Sequence, residues 1–244
     1  MVAIKTIDLR KEYKDVLAVD NLNLTINEGE LFSLLGVNGA GKTTTIKMLA
    51  TLCTPTSGDA YVFDYSILKD QDKIKELIDV SMQETAIARK LTVEENIEFY
   101  ASLSNQNKQE IEETKKYIYN AFELDKVKNK QAYKLSGGWQ RKLSIALALV
   151  TKPKILFLDE PTLGLDVIAR RELWKTIKEL KEKMTIILTT HYMEEAEALS
   201  DRIGIMKDGK LLFVGTKEEL FLKTSKTNVE DAFINIVSGG NLDE

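Results

Sequence analysis

The stretch Gly36-Val37-Asn38-Gly39-Ala40-Gly41-Lys42-Thr43-Thr44 constrains this chain more than any other. It matches G-x-x-x-x-G-K-[ST] and sits where two periodicities meet. Before it, Leu31-Phe32-Ser33-Leu34-Leu35 is almost continuously apolar, the pattern of a parallel strand covered on both faces. After it a helix is expected. A glycine-rich loop between such a strand and a helix turns its N–H groups inward and adds the positive end of the helix, so it predicts a seat for phosphate. Lys42 is then expected to neutralise the β and γ oxygens of a nucleoside triphosphate, and the Thr43 hydroxyl to ligate Mg²⁺. A glycine-rich turn that merely contains Lys-Thr would need neither flank.

Two other segments read like the strand before this loop: Ile155-Leu156-Phe157-Leu158 and Thr185-Ile186-Ile187-Leu188. Helical spacing separates them, with Val167, Ile168, Leu173, Trp174, Ile177 and Leu180 on one face of a segment from Asp166 to Lys183. The class is α/β with a central, mainly parallel sheet. Val2-Ala3-Ile4 and the alternating Leu22, Leu24 and Ile26 read as half-buried strands, and Asn27-Glu28-Gly29 turns into the next. From Lys90 to Val150 only helices are expected, opening at the capping-box spacing Thr92-Val93-Glu94-Glu95. Ile203 to Met206 and Leu211 to Val214 flank an Asp208-Gly209 hairpin turn, and the chain after Lys217 reads as helical. The expected division is a core over 1–89 and 151–216 that includes an antiparallel β part, a helical subdomain over 90–150, and a helical tail over 217–244.

Composition narrows the function classes. With 244 residues and 43% hydrophobic content the chain can bury one large core. Its longest near-apolar stretch, Leu143 to Val150, has eight residues, where a membrane-crossing helix needs about 20. The charged start MVAIKTIDLRKEY does not resemble a secretory leader, so a cytoplasmic protein is expected. Cys53 is the only cysteine, which excludes an internal disulfide and a cysteine-built zinc site. A net charge of −4 with interspersed Lys and Glu argues against a nucleic-acid partner.

Asp159 and Glu160 follow directly on one of the buried strands, at the edge where open α/β sheets bind ligands. Asp159 suits Mg²⁺ held through water. Glu160, one residue on, faces differently and suits a general base acting on the water that attacks a γ-phosphate. His191 is the only histidine, and it follows Thr189-Thr190 at the end of another buried strand, within reach of the same edge. Ser136 reads as an N-cap for a helix starting at Gly137.

Leu135-Ser136-Gly137-Gly138-Trp139-Gln140 resembles the LSGGQ signature of ATP-binding-cassette (ABC) ATPases, and with the other motifs the likeness covers essentially the whole chain. The resemblance implies a RecA-like P-loop NTPase core with an N-terminal antiparallel β subdomain and an inserted helical subdomain. It implies ATP and Mg²⁺ as ligands and hydrolysis by the groups named above. It also places Tyr13 beneath adenine, Gln83 in the Q-loop near metal and water, and Asp166 in the D-loop. Ser136, Gly137 and Gly138 would meet the γ-phosphate held by a second cassette, so two cassettes, identical or not, would close head to tail on two nucleotides. A separate transmembrane permease is the implied partner, docking along Gln83 to about Tyr100. The runs from Thr189 to Glu197 and from Val229 to Phe233 look most like ABC-2 drug and lipid exporters. Val37, Trp139 and Leu163 depart from the commonest pattern without removing a catalytic group, though Leu163 unsettles the expected D-loop contacts. The competing readings are a soluble ABC ATPase working on ribosomes or DNA, and a cassette that binds ATP without turnover. Single-cassette length and the lack of a coiled-coil insertion argue against the first, and Glu160 with His191 against the second.

Overall fold

A computed structural model of the chain describes residues 1–239, so the last five residues of the expected tail lie outside the described residues. The antiparallel part begins with β1 (Val2–Tyr13), β2 (Val16–Leu22) and β3 (Thr25–Asn27). β1 is far longer than Val2-Ala3-Ile4 suggests. Its pairing slips register between Ile7 and Arg10, and Asp8 takes a left-handed φ of 45°, so a bulge breaks the alternation that would mark a strand in sequence. The Leu22–Ile26 run is likewise divided between β2 and β3.

β4 (Leu31–Gly36), buried at every residue, leads through the glycine loop into α1 (Lys42–Leu49). Then come β5 (Ser57–Val62), β6 (Tyr65–Ser66), α2 (Gln71–Lys75) and β7 (Ile78–Ser81), elements too short or too polar to stand out by periodicity. The helical stretch holds α3 (Val93–Leu103), α4 (Lys108–Phe122) and α5 (Gly137–Leu147), with two 3₁₀ turns and one isolated bridge, Thr92 to Gln131. Thr92 and Glu95 form the expected capping box on α3. The remainder runs β8 (Ile155–Asp159), α6 (Val167–Lys181), β9 (Thr185–Thr190), α7 (Met193–Leu199), β10 (Arg202–Lys207), β11 (Lys210–Gly215), α8 (Lys217–Thr224) and α9 (Val229–Ser238). The β10–β11 turn has positive φ at both Asp208 and Gly209, as a two-residue type I′ hairpin requires.

Six strands form the central sheet in the order β11-β10-β4-β9-β8-β7, parallel throughout except for the β10–β11 hairpin. The smaller sheet is antiparallel, in the order β2-β1-β5-β6 with β3 also on β1. Both faces of the central sheet are covered, which is why its strands read as unbroken apolar runs. On one face Leu156, Leu158, Ile186 and Leu188 pack with Val93, Ile97, Phe122 and Leu143 of the helical stretch. On the other, Phe32, Leu34, Phe157 and Ile187 pack with Ile4, Leu22 and Ile26 of the small sheet and with Ile46 and Met48 of α1.

Candidate functional site

Because β4, β7, β8 and β9 are parallel, their carboxyl ends reach one edge of the sheet. The residues just beyond those ends line one cleft of about 510 Å³: Asn38 to Thr44 after β4, Gln83 after β7, Glu160 after β8 and His191 after β9. Tyr13, from the end of β1, and Leu163 line it as well. The loop conformation depends on glycine at Gly41, where φ is 102° and a Cβ would stand 2.3 Å from the Ala18 carbonyl oxygen. This glycine sits at the N-cap of α1, so the first amides of that helix open toward the cleft.

A chain of polar contacts crosses the cleft floor. The Lys42 ammonium is buried; it donates to the Gly36 carbonyl at 2.7 Å and to that of Val37 at 3.3 Å, and lies 3.2 Å from Glu160 Oε1. Glu160 Oε2 is 2.8 Å from His191 Nδ1. Asp159 is still in the strand, whereas Glu160 turns to a φ of 49°, which aims the two carboxylates differently as the sequence predicts. A non-glycine residue at that φ must be held by its surroundings. The Glu160 N–H is bonded to the carbonyl and to the hydroxyl oxygen of Thr189, each at 3.1 Å.

Asp159 is fully buried, and its Oδ1 accepts from the Thr43 hydroxyl at 3.0 Å and the Thr189 hydroxyl at 2.5 Å. Its Oδ2 is buried, with no hydrogen-bond partner among the described residues. A carboxylate oxygen left without a donor in a dry site is costly, and a hard divalent cation satisfies that need. One carboxylate plus one threonine hydroxyl is also the small oxygen set that Mg²⁺ uses when phosphates and waters complete its shell. The residues present therefore fit Mg²⁺.

Tyr13 is 44% exposed at the cleft mouth, with its hydroxyl 3.8 Å from Cys53 Sγ and Lys11 Nζ 4.8 Å from the ring centroid. Gly36 and Val37 contribute carbonyls to Lys42 rather than cleft wall. Ser136, Gly137, Gly138 and Asp166 stand apart from this cleft. Asp166 is the N-cap of α6, its Oδ1 accepting from the amides of Ile168 and Ala169 at 2.9 Å each. Ser136 occupies the N-cap of α5 as expected, but its hydroxyl makes no capping bond; its carbonyl accepts from the Gln140 N–H at 2.9 Å. The expected hydroxyl cap is thus corrected: the side chain is exposed and available to something outside the chain.

Five further residues join the site that no sequence motif marks. Val16, Leu17 and Ala18 give the cleft its apolar wall. Thr189 is the shared brace of both carboxylates, and a buried threonine in an apolar strand was its only signal. Arg141, on α5, reaches under the site by contacts described below.

The family model described as ABC transporter matches residues 19–163, from β2 through the turn after Glu160. The chain belongs to the ABC transporter family. It is an ATPase cassette, and its fold is the P-loop NTPase arrangement. The human protein named "Phospholipid-transporting ATPase ABCA3" is 45% identical over 210 residues, 86% of this chain but 12% of that protein. "ABC transporter A family member 7" of Dictyostelium discoideum is 46% identical over 215 residues, 87% of this chain and 26% of that protein. The cassette thus spans about an eighth to a quarter of the length of these relatives. Among solved structures, the dimeric cassette MJ0796 bound to ADP and Pi in a post-hydrolysis state superposes with a TM-score of 0.78 at 28% identity, covering 87% of this chain and 98% of its own.

Proposed function

We propose that the cassette binds Mg-ATP between Tyr13 and the glycine loop, hydrolyses it with Glu160, and does so as a head-to-tail pair whose motion drives a separate membrane-spanning permease. The observation that carries this reading is the convergence of Lys42, Glu160 and His191 in one contact chain beside the phosphate-loop amides. In it, Lys42 supplies countercharge to the β and γ oxygens, the Glu160 carboxylate takes the proton of the attacking water, and His191 holds that carboxylate in place. Gln83 orients the water from across the cleft. Thr43 and Asp159, with the Gln83 amide, would hold Mg²⁺, which when bound supplies positive charge to the phosphate oxygens.

The exposed Ser136 hydroxyl, which caps nothing, and the open glycine Gly137 support a phosphate contact in trans, while Gly138 faces α6, where a Cβ would stand 3.2 Å from Ala169 Cβ. These groups stand at the start of α5, where helix amides favour an anion. Asp166, at the turn between the cleft and α6, is assigned to the same interface, alongside the exposed Val167 and Ile168. No described helix is long and apolar enough to cross a membrane. The half-exposed Phe99 beside Tyr100 belongs to the Gln83 to Tyr100 surface assigned to that partner. The phospholipid transport in the human relative's name favours an exporter of lipid or drug type.

The test is ATP-dependent association. A Glu160→Gln chain given Mg-ATP is expected to double in mass by light scattering. Adding Ser136→Arg should leave it a monomer that still binds a fluorescent ATP analogue within about threefold of its parent. Dimers forming equally well with arginine at position 136 would overturn the trans contact.

A further inference from the structure

Arg141 is 4% exposed and lies on α5 within two turns of Ser136. Among the described residues no carboxylate pairs with it. Instead its guanidinium is spent on five main-chain carbonyls at and just beyond the carboxyl ends of β7 and β8. Nε donates to Pro161 at 2.8 Å, Nη1 to Met82 at 2.6 Å and Gln83 at 3.1 Å, and Nη2 to Asp159 at 2.7 Å and Glu160 at 2.9 Å. Only a planar fork of five donors can bridge five oxygens in this way, and lysine cannot. Burying a cation costs several kcal/mol before its bonds are counted, so the arrangement is retained only if it is well satisfied. Burial draws the Arg141 pKa down to about 10, against the nearby charges of Asp159, Glu195 and Glu160, and the group is still cationic at neutral pH.

We infer that Arg141 is a positioning residue for hydrolysis: it clamps the backbone of the Glu160 turn to that of Gln83, and ties both to the helix that begins at Ser136. Glu160 needs such a clamp because its φ of 49° is unfavourable for a side chain bearing a Cβ. The Thr189 contacts fix the amide side of that residue, and Arg141 fixes its carbonyl side. With the carbonyls of residues 159, 160 and 161 all drawn toward one guanidinium, the Glu160 carboxylate is left facing Lys42 and His191. The same Nη1 holds the carbonyl of Gln83, so the two side chains that face the reacting water share one anchor. That anchor is carried by α5. Displacement of this helix by a phosphate or a second copy at Ser136 would therefore be felt at the Glu160 backbone.

This inference rests on Glu160 being the base, so the experiment separates the two. Arg141→Gln and Arg141→Lys are made alone and on Glu160→Gln, and turnover is measured per nucleotide-binding site. Arg141→Gln is expected to lower kcat about 100-fold, the scale of an angstrom-size misplacement, with analogue affinity within about threefold. On Glu160→Gln the same change should alter residual turnover by less than about threefold, since a residue that acts through Glu160 has nothing left to position. Arg141→Lys, which keeps the buried charge, should recover part of the rate and serves in its place if the glutamine variant does not fold. Equal fold-losses in both backgrounds, collapse of affinity, or near-native kcat would each overturn the positioning role. Wild-type turnover in Glu160→Gln itself would instead remove the base assignment.

Discussion

Replacing Glu160 by glutamine changes the chemistry of one atom and little else. The side chain is buried, with Oε1 3.2 Å from Lys42 Nζ and Oε2 2.8 Å from His191 Nδ1. An amide in the same place keeps an oxygen that accepts from the ammonium and offers an NH₂ that donates to the imidazole, so folding is little affected. What is lost is a negative charge and a basic site. A positioned general base contributes about 10²–10⁴ in rate, or about 2.7–5.4 kcal/mol of barrier. Nucleotide affinity moves the other way. The carboxylate competes for Lys42 and repels phosphate; two like charges about 6 Å apart at an effective dielectric of about 20 repel by about 2.8 kcal/mol, which caps the tightening at about 100-fold. Phosphate release at saturating Mg-ATP and calorimetric titration read the two effects separately. The expected outcome is kcat down at least about 100-fold with a Kd no weaker than that of the unaltered chain. Turnover within about tenfold of the unaltered chain would refute the assignment, and loss of binding would refute the claim that the amide fits.

Gly41→Ala should weaken Mg-ATP binding more than Gly39→Ala by calorimetry. Both have positive φ, but a Cβ at Gly41 meets the Ala18 carbonyl oxygen at 2.3 Å whereas one at Gly39 meets nothing within 4 Å. The left-handed conformation costs about 1–3 kcal/mol at either site, and Gly41 adds a clash that only a shift of loop or strand relieves. Equal affinities would refute this account of the loop. Glu195→Gln should flatten the dependence of Tm on pH. Glu195 is fully buried, Trp174 Nε1 donates to its Oε1 at 3.0 Å, and its Oε2 has no hydrogen-bond partner among the described residues. Burial raises its pKa above the usual 4.5, with the Glu160 charge acting in the same direction. The unfolded chain then ionises first, so this residue's contribution to stability declines as pH rises from about 4.5 toward the raised value. Melting curves from pH 5 upward that have the same slope for both proteins would show that Glu195 is not the source.

The chemistry of the cleft was legible because the covered strands leave an unmistakable trace. β4, β8 and β9 are continuous apolar runs, and the residues at their ends, Gly-Lys-Thr, Asp-Glu and His, meet at one edge of the sheet. Sequence could not show the order of the sheet, since β9 enters between β4 and β8 only in three dimensions. It also hid the second half of β1, where a bulge at a left-handed aspartate erased the alternation. Arg141 was invisible for another reason. An arginine between Gln140 and Lys142 reads as a solvated helix face, and its burial depends on carbonyls contributed by loops up to 59 residues away. Ser136 stands at the head of its helix as its residue type predicts, but whether a hydroxyl caps or points outward is a matter of one torsion, on which composition is silent.

The sheet order also bears on how the newly made chain matures on the ribosome. β4 and β8 become neighbours only through β9, which is synthesised after both. A nascent chain that has exposed the glycine loop and both carboxylates still lacks the strand that brings them together, and it lacks the imidazole and the Thr189 brace. Nucleotide at about 100 times its Kd would stabilise the complete cassette by about 2.7 kcal/mol while giving nothing to these precursors. Bound nucleotide would then favour chains in which β9 is already in place between β4 and β8.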